Sequence, residues 1–593
     1  TGFSFNPARA HPFAPLGQAE SGGARPKRAP VTWTRAAALA ALLAAPGVPA
    51  SAQTLAPPTP PPLVSPSPEA SPSPSVAPSP ATSPSGLPGV PITVDRANVG
   101  VVPGTTVVVH VAGGVGQLVA QPSFSGIDVT YDPVARTLTI TGRANGRGSV
   151  TLSDGAGDSA VVNVLVAPAA GVVPATVSIS LAGTTSPQFV AAQVQQAIAQ
   201  AAQLQRGATI TVRGVTANPM RPGDILDARA NVAISGNGQF VDQFGTTNVH
   251  VAVAQLPPLD PAVLFYSDDP ERLGPLDDGV LFRGTIDATR PARAYIYHVS
   301  DAGGRTLYLA LQSSGTAAQV QVLGAAAGPS DAFPYVGHLS TLRYLLEHAS
   351  QESDIVTVAP GLPYLLPLGA GTMLPGQLIA SIDDLRVLSG GPVQAMIVAA
   401  SANVDPATLL AQPEHPTDGH FRRGEFSLAN VPPLALAYTV GGAEPQPFTV
   451  GVRYYANGQP AFPNLRPDIN AAAGQRAPLA GDYGVLRPVS LQITNPSATA
   501  QNVYLYEQPV ANGGVTTTIW FTGDPAPTEV RCVSDPSQRT LVKGFGVAPG
   551  QTVNVTGTYM TDGTSFYPLA FGLTSTEPPA APVNGCGPKP NGQ

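Results

Sequence analysis

Apolar and polar residues alternate with a period of two along most of the chain beyond residue 92, which predicts half-buried strands. The clearest early runs are Val107–Val111, Thr137–Thr141, Ser149–Leu152 and Ala160–Val166. Turn clusters such as Ala112-Gly113-Gly114 and Ser153-Asp154-Gly155 separate them, so residues 92–168 read as a small all-β domain. The period then changes. After a strand at Thr176–Leu181, Val190, Val194, Ala197, Ile198, Ala201 and Leu204 lie at helical spacing, with Gln193, Gln196, Gln200 and Gln203 mostly opposite. Ser186 is the predicted N-cap, Pro187 the first helical residue and Gly207 the stop. Strands follow at Thr209–Val212, Ala228–Ser235 and Asn248–Ala254, with a hairpin signal at Gly236-Asn237-Gly238. Residues 174–256 therefore read as a small α+β domain whose helix covers a sheet.

Strand alternation returns from residue 257. Val280–Phe282, Arg293–His298, Thr306–Leu311, Gln319–Leu323, Asp354–Val358, Gln377–Ile382 and Gln394–Ala399 predict a β-sandwich over 257–400, interrupted by a helix near His338–Ala349. Residues 401–417 read as a linker, 418–575 as a second sandwich and 576–593 as a disordered tail. In the second sandwich the runs are Thr449–Tyr455, Val489–Thr494, Asn502–Tyr506, Thr516–Phe521, Gln551–Tyr559 and Tyr567–Phe571. An internal echo links the two. Leu307–Val322 (LYLALQSSGTAAQVQV) parallels Val489–Leu505 (VSLQITNPSATAQNVYL), and each is followed by Val-Ala-Pro-Gly, at Val358–Gly361 and Val547–Gly550. The repeated strand, polar turn and strand resembles Ig-like and CARDB-like extracellular sandwiches. The stretch Leu138–Leu152, with Asp154-Gly155 and its closing Val-rich strand, resembles bacterial Ig-like surface modules and the small β domain of pilus- and secretin-associated proteins. The resemblance implies a mainly β protein of tandem sandwiches with one small α+β domain.

Ahead of these domains the pattern is of another kind. Arg25, Lys27, Arg28 and Arg35 precede an apolar run, Ala36–Val48, and the small residues Ala50-Ser51-Ala52 follow. That order is a signal peptide over 36–52, with Gln53 as the expected new N-terminus. The run is short of the roughly 20 apolar residues that span a bilayer. No membrane anchor is expected after cleavage. Residues 1–35 are expected to be a disordered leader, as if the start site were placed too far upstream. Residues 53–91 alternate Pro with Ser, Thr and Ala, a composition that favours a disordered polyproline stalk reaching on the order of 100 Å.

Composition sharpens the functional reading. Only 11% of the 593 residues are charged while 43% are apolar, so cores are affordable with little surface charge. The formal charge is −7, and residues 1–52 hold five Arg/Lys and one Glu, which leaves about −11 for the exported chain. Nucleic acid, which demands a basic face, is excluded as a partner. The two cysteines, Cys532 and Cys586, are expected to form a disulfide in an oxidising compartment.

Candidate chemistry is sparse. Glu414, His415, Asp418 and His420 bring two imidazoles and two carboxylates within seven residues and are the metal candidates, although a solvated linker explains the same residues. Asp268-Asp269 and Asp277-Asp278 offer hard oxygens for Ca²⁺ or a solvated loop, and Asp154–Asp158 a calcium turn or a hairpin tip. Aromatics cluster at Tyr295/Tyr297, Tyr454/Tyr455, Tyr504/Tyr506 and Trp520/Phe521. Of these, Tyr504, Tyr506 and Trp520 are the candidates for stacking on sugar rings, against core packing as the alternative. There is no G-x-S-x-G, H-E-x-x-H, P-loop or dinucleotide fingerprint, and no cofactor is expected. A triad is defined by geometry rather than order, so only the fold can test for one. The sequence thus reads as a secreted or cell-surface structural or adhesive protein without intrinsic chemistry, its partner a cell-envelope or extracellular polymer or protein. The alternatives are a polysaccharide binder and a hydrolase with a site near His415–His420.

Overall fold

The computed structural model describes residues 90–416, 423–454, 457–466, 478–479 and 481–582. The expected signal peptide, nearly all of the Pro-rich stalk, Asp418, His420 and Cys586 lie outside them.

The first sandwich follows the alternation closely. Its strands are β1 (Thr93–Val94), β2 (Asn98–Val101), β3 (Thr106–Ala112), β4 (Val119–Pro122), β5 (Ile127–Asp132), β6 (Thr137–Gly142), β7 (Gly146–Ser153) and β8 (Ser159–Val166). They form two four-stranded sheets, β1-β3-β6-β5 and β2-β8-β7-β4. Val109, Leu138, Ile140, Val150, Leu152 and Val162 fill the space between, because period-two residues share one face.

Next come β9 (Thr176–Ala182), α1 (Pro187–Ala201), β10 (Thr209–Arg213), β11 (Ile225–Ser235) and β12 (Gln243–Ala254). Ser186 caps α1 as its sequence signature requires, its side chain accepting from the Phe189 N–H, with Pro187 in the first turn. Phe189, Val190, Val194 and Ile198 of α1 pack on Leu181, Ala230, Val232, Ile234, Val249 and Val251. This small sheet is not free-standing. β9 pairs antiparallel with the later strand β19, through Ala182↔Ser353, Leu181↔Asp354 and Ser180↔Ile355. The expected α+β domain is thereby one wing of a sheet that continues into the next sandwich.

That sandwich holds β13 (Val263–Ser267), β14 (Arg272–Leu273), β15 (Gly279–Ile286), β16 (Ala292–Ser300), β17 (Arg305–Ser313), β18 (Ala318–Ser330), α2 (Phe333–Ser350), β19 (Ser353–Val358), β20 (Tyr364–Pro367), β21 (Gln377–Ser389), β22 (Val393–Ser401), α3 (Pro406–Leu409) and β23 (Arg423–Ser427). The large sheet runs β10-β11-β12-β9-β19-β18-β21-β16-β13-β23, with β14 beside β16, and the smaller one β15-β22-β17-β20. Two expected boundaries move as a result. Within the expected linker over 401–417, the described residues up to 416 are packed on the sandwich: Leu409 and Leu410 lie against Val280, Met396 and Val398. Residues 423–427, expected in the last sandwich, pair with β13 and bury Phe426 edge-on against Tyr266 at 6.0 Å.

The last sandwich comprises β24 (Leu434–Thr439), β25 (Phe448–Val450), β26 (Leu486–Thr494), β27 (Gln501–Pro509), β28 (Val515–Phe521), β29 (Thr528–Val533), β30 (Thr540–Val547), β31 (Thr552–Thr561) and β32 (Leu569–Thr574). Its sheets are β24-β26-β31-β28-β29 and β25-β32-β27-β30. The protein is thus mainly β, built as tandem β-sandwiches.

The sequence echo corresponds to a repeated topology. The order β19-β18-β21-β16 of the central sandwich recurs as β30-β27-β32-β25, each strand in the same chain position. The facing sheets match as well: β15, β17 and β20 correspond to β24, β26 and β31. The strand β22 has no counterpart, and β24 closes the gap by pairing directly with β26, parallel to it. Each copy carries one insertion at the same point, α2 between β18 and β19, and the β28–β29 hairpin between β27 and β30.

The two insertions meet. α2 is buried nearly all round, on β18 and β21 at one side and on β28 at the other, so Val336, Leu339, Tyr344 and Leu345 share a core with Ile382, Phe462, Val485 and Met560. Tyrosines bridge the same boundary: Tyr266 stacks on Tyr295 at 4.9 Å, Tyr295 on Tyr483 at 5.9 Å, and Tyr483 meets Tyr567 edge-on at 5.6 Å. The approach is close enough to require a glycine. A Cβ on Gly337 of α2 would lie 2.0 Å from the Gly563 carbonyl oxygen.

Gly337→Ala therefore sets two effects against each other. Alanine is the better helix former by about 1 kcal/mol, whereas the collision with backbone is an overpacking cost of about 1–3 kcal/mol. We expect a net loss of stability in chemical denaturation. A gain would show that α2 does not dock backbone to backbone.

Candidate functional site

Among the described residues, the wing β10-β11-β12-β9 has one face under α1 and one face open. Alternation puts Val177, Val249, Val251, Ala230 and Val232 beneath the helix and turns the intervening residues outward. Register then aligns the outward residues in rows across the strands. Asp227, His250 and Ser178 form one row; Arg229, Asn248 and Thr176 the next. Arg213, Asn231 and Thr246 form the third. The first two rows line a shallow trough of about 520 Å³. His250 Nδ1 lies 2.7 Å from Asp227 Oδ1, with the two side chains 47% and 77% exposed.

The first row has the residue types of a hydrolytic triad but not its working parts. Among the described residues the His250 side chain bonds to Asp227 and not to Ser178. Asp227 is solvated rather than buried, so it does not fix the imidazole as a triad carboxylate does. The backbone N–H groups here lie in the plane of a continuous ladder and bond to neighbouring strands, which leaves none to stabilise an oxyanion on the open face. The arrangement is suited to binding: hydroxyls, amides, two guanidiniums and an imidazole on a rigid surface. Sequence reading passed over it because alternating polar residues on a strand read as solvent face. Only register shows which of them are neighbours.

The residues singled out from sequence fall elsewhere. Glu414 accepts from the Arg283 N–H at 2.8 Å and from Arg466 through both oxygens at 3.0 Å. His415 is 3.0 Å from Asp277 and bonds to the Pro416 carbonyl. Asp418 and His420 lie outside the described residues, and among the described residues no group of three or more His, Cys, Asp or Glu side chains is placed to hold a metal. The acidic loop is partly buried: Asp278 takes hydrogen bonds from Arg305 and Ser401, and Asp269 is enclosed. Asp154 caps its own hairpin tip, accepting from the N–H groups of Val115, Ala156 and Asp158. Tyr504 and Tyr506 do share the outer face of β27, yet Tyr506 is 1% exposed, its ring covered by the Arg539 guanidinium at 4.4 Å. Trp520 lies on the other sheet and packs against the core shared with α2. The three therefore form no common platform. Cys532 is disulfide-bonded.

The buried titratable groups gather where the sandwiches meet. His338 of α2 is wedged between Asp562 and Glu529, 2.7 Å from each, and the Thr518 hydroxyl bonds to Asp562. Burial would push the imidazole down, but the two carboxylates outweigh it and hold it up at about 9. Burial raises Glu529 too, and His338 with Arg531 overrides that and brings it down to about 2. Arg293 bonds to Asp384 at 2.7 and 3.1 Å and reaches across to the Gly484 carbonyl at 3.1 Å, while the Tyr344 hydroxyl donates to Asp384 at 2.8 Å. Glu507, in the last sandwich, is fully enclosed; the Thr517 hydroxyl beside it lowers its carboxyl, but burial outweighs this and pushes it up to about 8. His298, bonded to the Pro270 carbonyl, is pushed down by burial to about 4.

No family model and no curated protein matches this chain. Among solved structures it is similar to the S-layer protein rSbsC(31-844), at 18% identity over 27% of this chain and 23% of that one, with a TM-score of 0.14. It is also similar to the Bacteroides ovatus mixed-linkage glucan utilization locus protein SGBP-B in complex with a mixed-linkage heptasaccharide, at 12% identity over 51% and 71%, TM-score 0.13. A third is a structure of the fibronectin(III)-like modules of Clostridium thermocellum CbhA, at 15% identity over 28% and 95%, TM-score 0.13. The chain spans about a quarter of the S-layer protein's length. Likenesses of this size carry no argument about what this protein does.

The shifted groups set the pH dependence. A His338 raised to about 9 from 6.5 contributes stability that is full below pH 6.5 and is lost as pH rises through 9. A Glu507 raised to about 8 from 4.5 acts in the same direction, full below 4.5 and lost through 8. His298, lowered to about 4, contributes above pH 6.5 and loses that contribution as pH falls through 4. Denaturation series should show stability falling by roughly 2 kcal/mol or more from pH 6 to 9.5. His338→Gln should flatten that decline. An unchanged slope in the variant would remove His338 as its source.

Proposed function

We propose that this protein is a secreted or cell-surface multi-domain β protein with a structural or adhesive role. The observation that carries the reading is the weld between the central and last sandwiches. Helix α2, four tyrosines and the Arg293–Asp384–Tyr344 network fix one docking geometry between two modules that would otherwise be joined by a loose linker. Such a joint transmits force and holds surfaces in register, which an adhesive or structural part needs and a diffusing regulator does not. Low surface charge, the Pro-rich segment before residue 91, the export signal and the Cys532 disulfide support an extracellular setting. No helix among the described residues is long and apolar enough to cross a membrane. The partner is an extracellular or envelope polymer or protein.

Fractionation of native cells, with sequencing of the mature N-terminus, tests the setting. We expect a form beginning at Gln53 in the envelope or medium. Uncleaved protein in the cytosol would overturn the reading.

A further inference from the structure

We propose that the open face of the β9–β12 wing binds the carboxylate groups of an acidic polysaccharide. The proposal rests on the extracellular-polymer reading above and names the class of polymer. Arg213 and Arg229 are diagonal neighbours on this face, since Arg213 pairs in register with Asn231, two residues from Arg229 on β11. Both are exposed, and among the described residues neither has an ion-pair partner. Other arginines of this acidic chain do: Arg272 with Asp301, Arg290 with Glu425, Arg305 with Asp278, Arg466 with Glu414 and Arg539 with Glu444. The nearest carboxylate in the rows, Asp227, has His250 2.7 Å away and is not ion-paired with either arginine. Two like charges on diagonal positions of a rigid sheet repel one another, and a bound anion relieves that repulsion.

The rest of the face selects the kind of anion. Around the arginines stand Asn248, Asn231, Thr176 and Thr246, which both donate and accept hydrogen bonds and so match a hydroxyl-rich ligand. Phe244 of β12 is 75% exposed on the same face, six residues from His250. At about 3.4 Å per residue the band from His250 to Phe244 is about 20 Å long, room for several sugar units with an aromatic ring at one end for stacking. A peptide would need apolar side-chain pockets, which this face does not offer. Nucleic acid would need many more phosphate contacts than two arginines supply. The trough beside Arg229 gives the carboxylate a recess in which guanidinium binding is two-pronged and geometrically specific.

The test is calorimetric titration of the full chain with polygalacturonate, a neutral β-glucan and poly-glutamate. Binding to polygalacturonate that weakens with added salt, and falls at least tenfold in Arg213→Ala/Arg229→Ala, is the expected result. Arg143→Ala, in the first sandwich, should leave it unchanged. Both target side chains are exposed, and matching denaturation midpoints will confirm that the double variant folds. Polygalacturonate binding that survives the double substitution overturns the site, as does a preference for neutral glucan or for poly-glutamate, or an absence of binding to all three. Each of these leaves the surface setting standing, because cell fractionation tests that separately.

Discussion

The close contact between helix α2 and the last sandwich is the constraint on which the rest of this structure depends. It joins an apolar core to a set of charges that are mostly buried, Arg293, Asp384, His338 and Asp562 among them. Such charges are expensive to bury unless every group finds its partner in good geometry. Arg293 finds Asp384 twice and Gly484 across the boundary, and His338 is held between two carboxylates. Sliding the modules by even part of a residue would leave these groups unpaired. The apolar contacts bury the shared core, and the polar pairs are satisfied in this one alignment.

The repeated topology explains why the joint has a counterpart element on each side. Two sandwiches of the same strand order each accept an insertion between corresponding strands, and the insertions pack on one another. In the central copy the large sheet also gains a wing through the β9–β19 pairing. Among the described residues the wing's second face has no cover, and it is there that Arg213 and Arg229, without ion-pair partners, and hydrogen-bonding side chains align. The function argued above therefore divides between two places. On the proposed reading, rigidity comes from the joint and recognition from the open sheet face of the wing.

Much of the fold was legible in the sequence wherever information is local. Alternation located β3, β6 and β8, and Ser186-Pro187 located the start of α1. The echo of residues 307–322 in 489–505 marked equivalent strands. Pairings between distant segments were not legible, because β9 beside β19 and β23 beside β13 obey no local rule. The start of α2 was missed by five residues, since Phe333–Gly337 packs against a second domain that the apolar stripe of one face does not reveal. For Tyr506 the sequence leaves sugar stacking and core packing both open, because it does not show that Arg539 lies over the ring. The rows of the open wing needed register: Asp227, Arg229, Asn248 and His250 look like ordinary solvated positions until their neighbours are known.

Native-state hydrogen exchange, followed by mass spectrometry across a denaturant series, tests the central claim most directly. If the central and last sandwiches are one cooperative unit, amides of α2 and of β28 and β31 will open with the same free energy and the same denaturant slope. If β28 and β31 exchange at low denaturant while α2 stays protected on β18 and β21, the two sandwiches are independent modules and the account of a rigid joint is wrong.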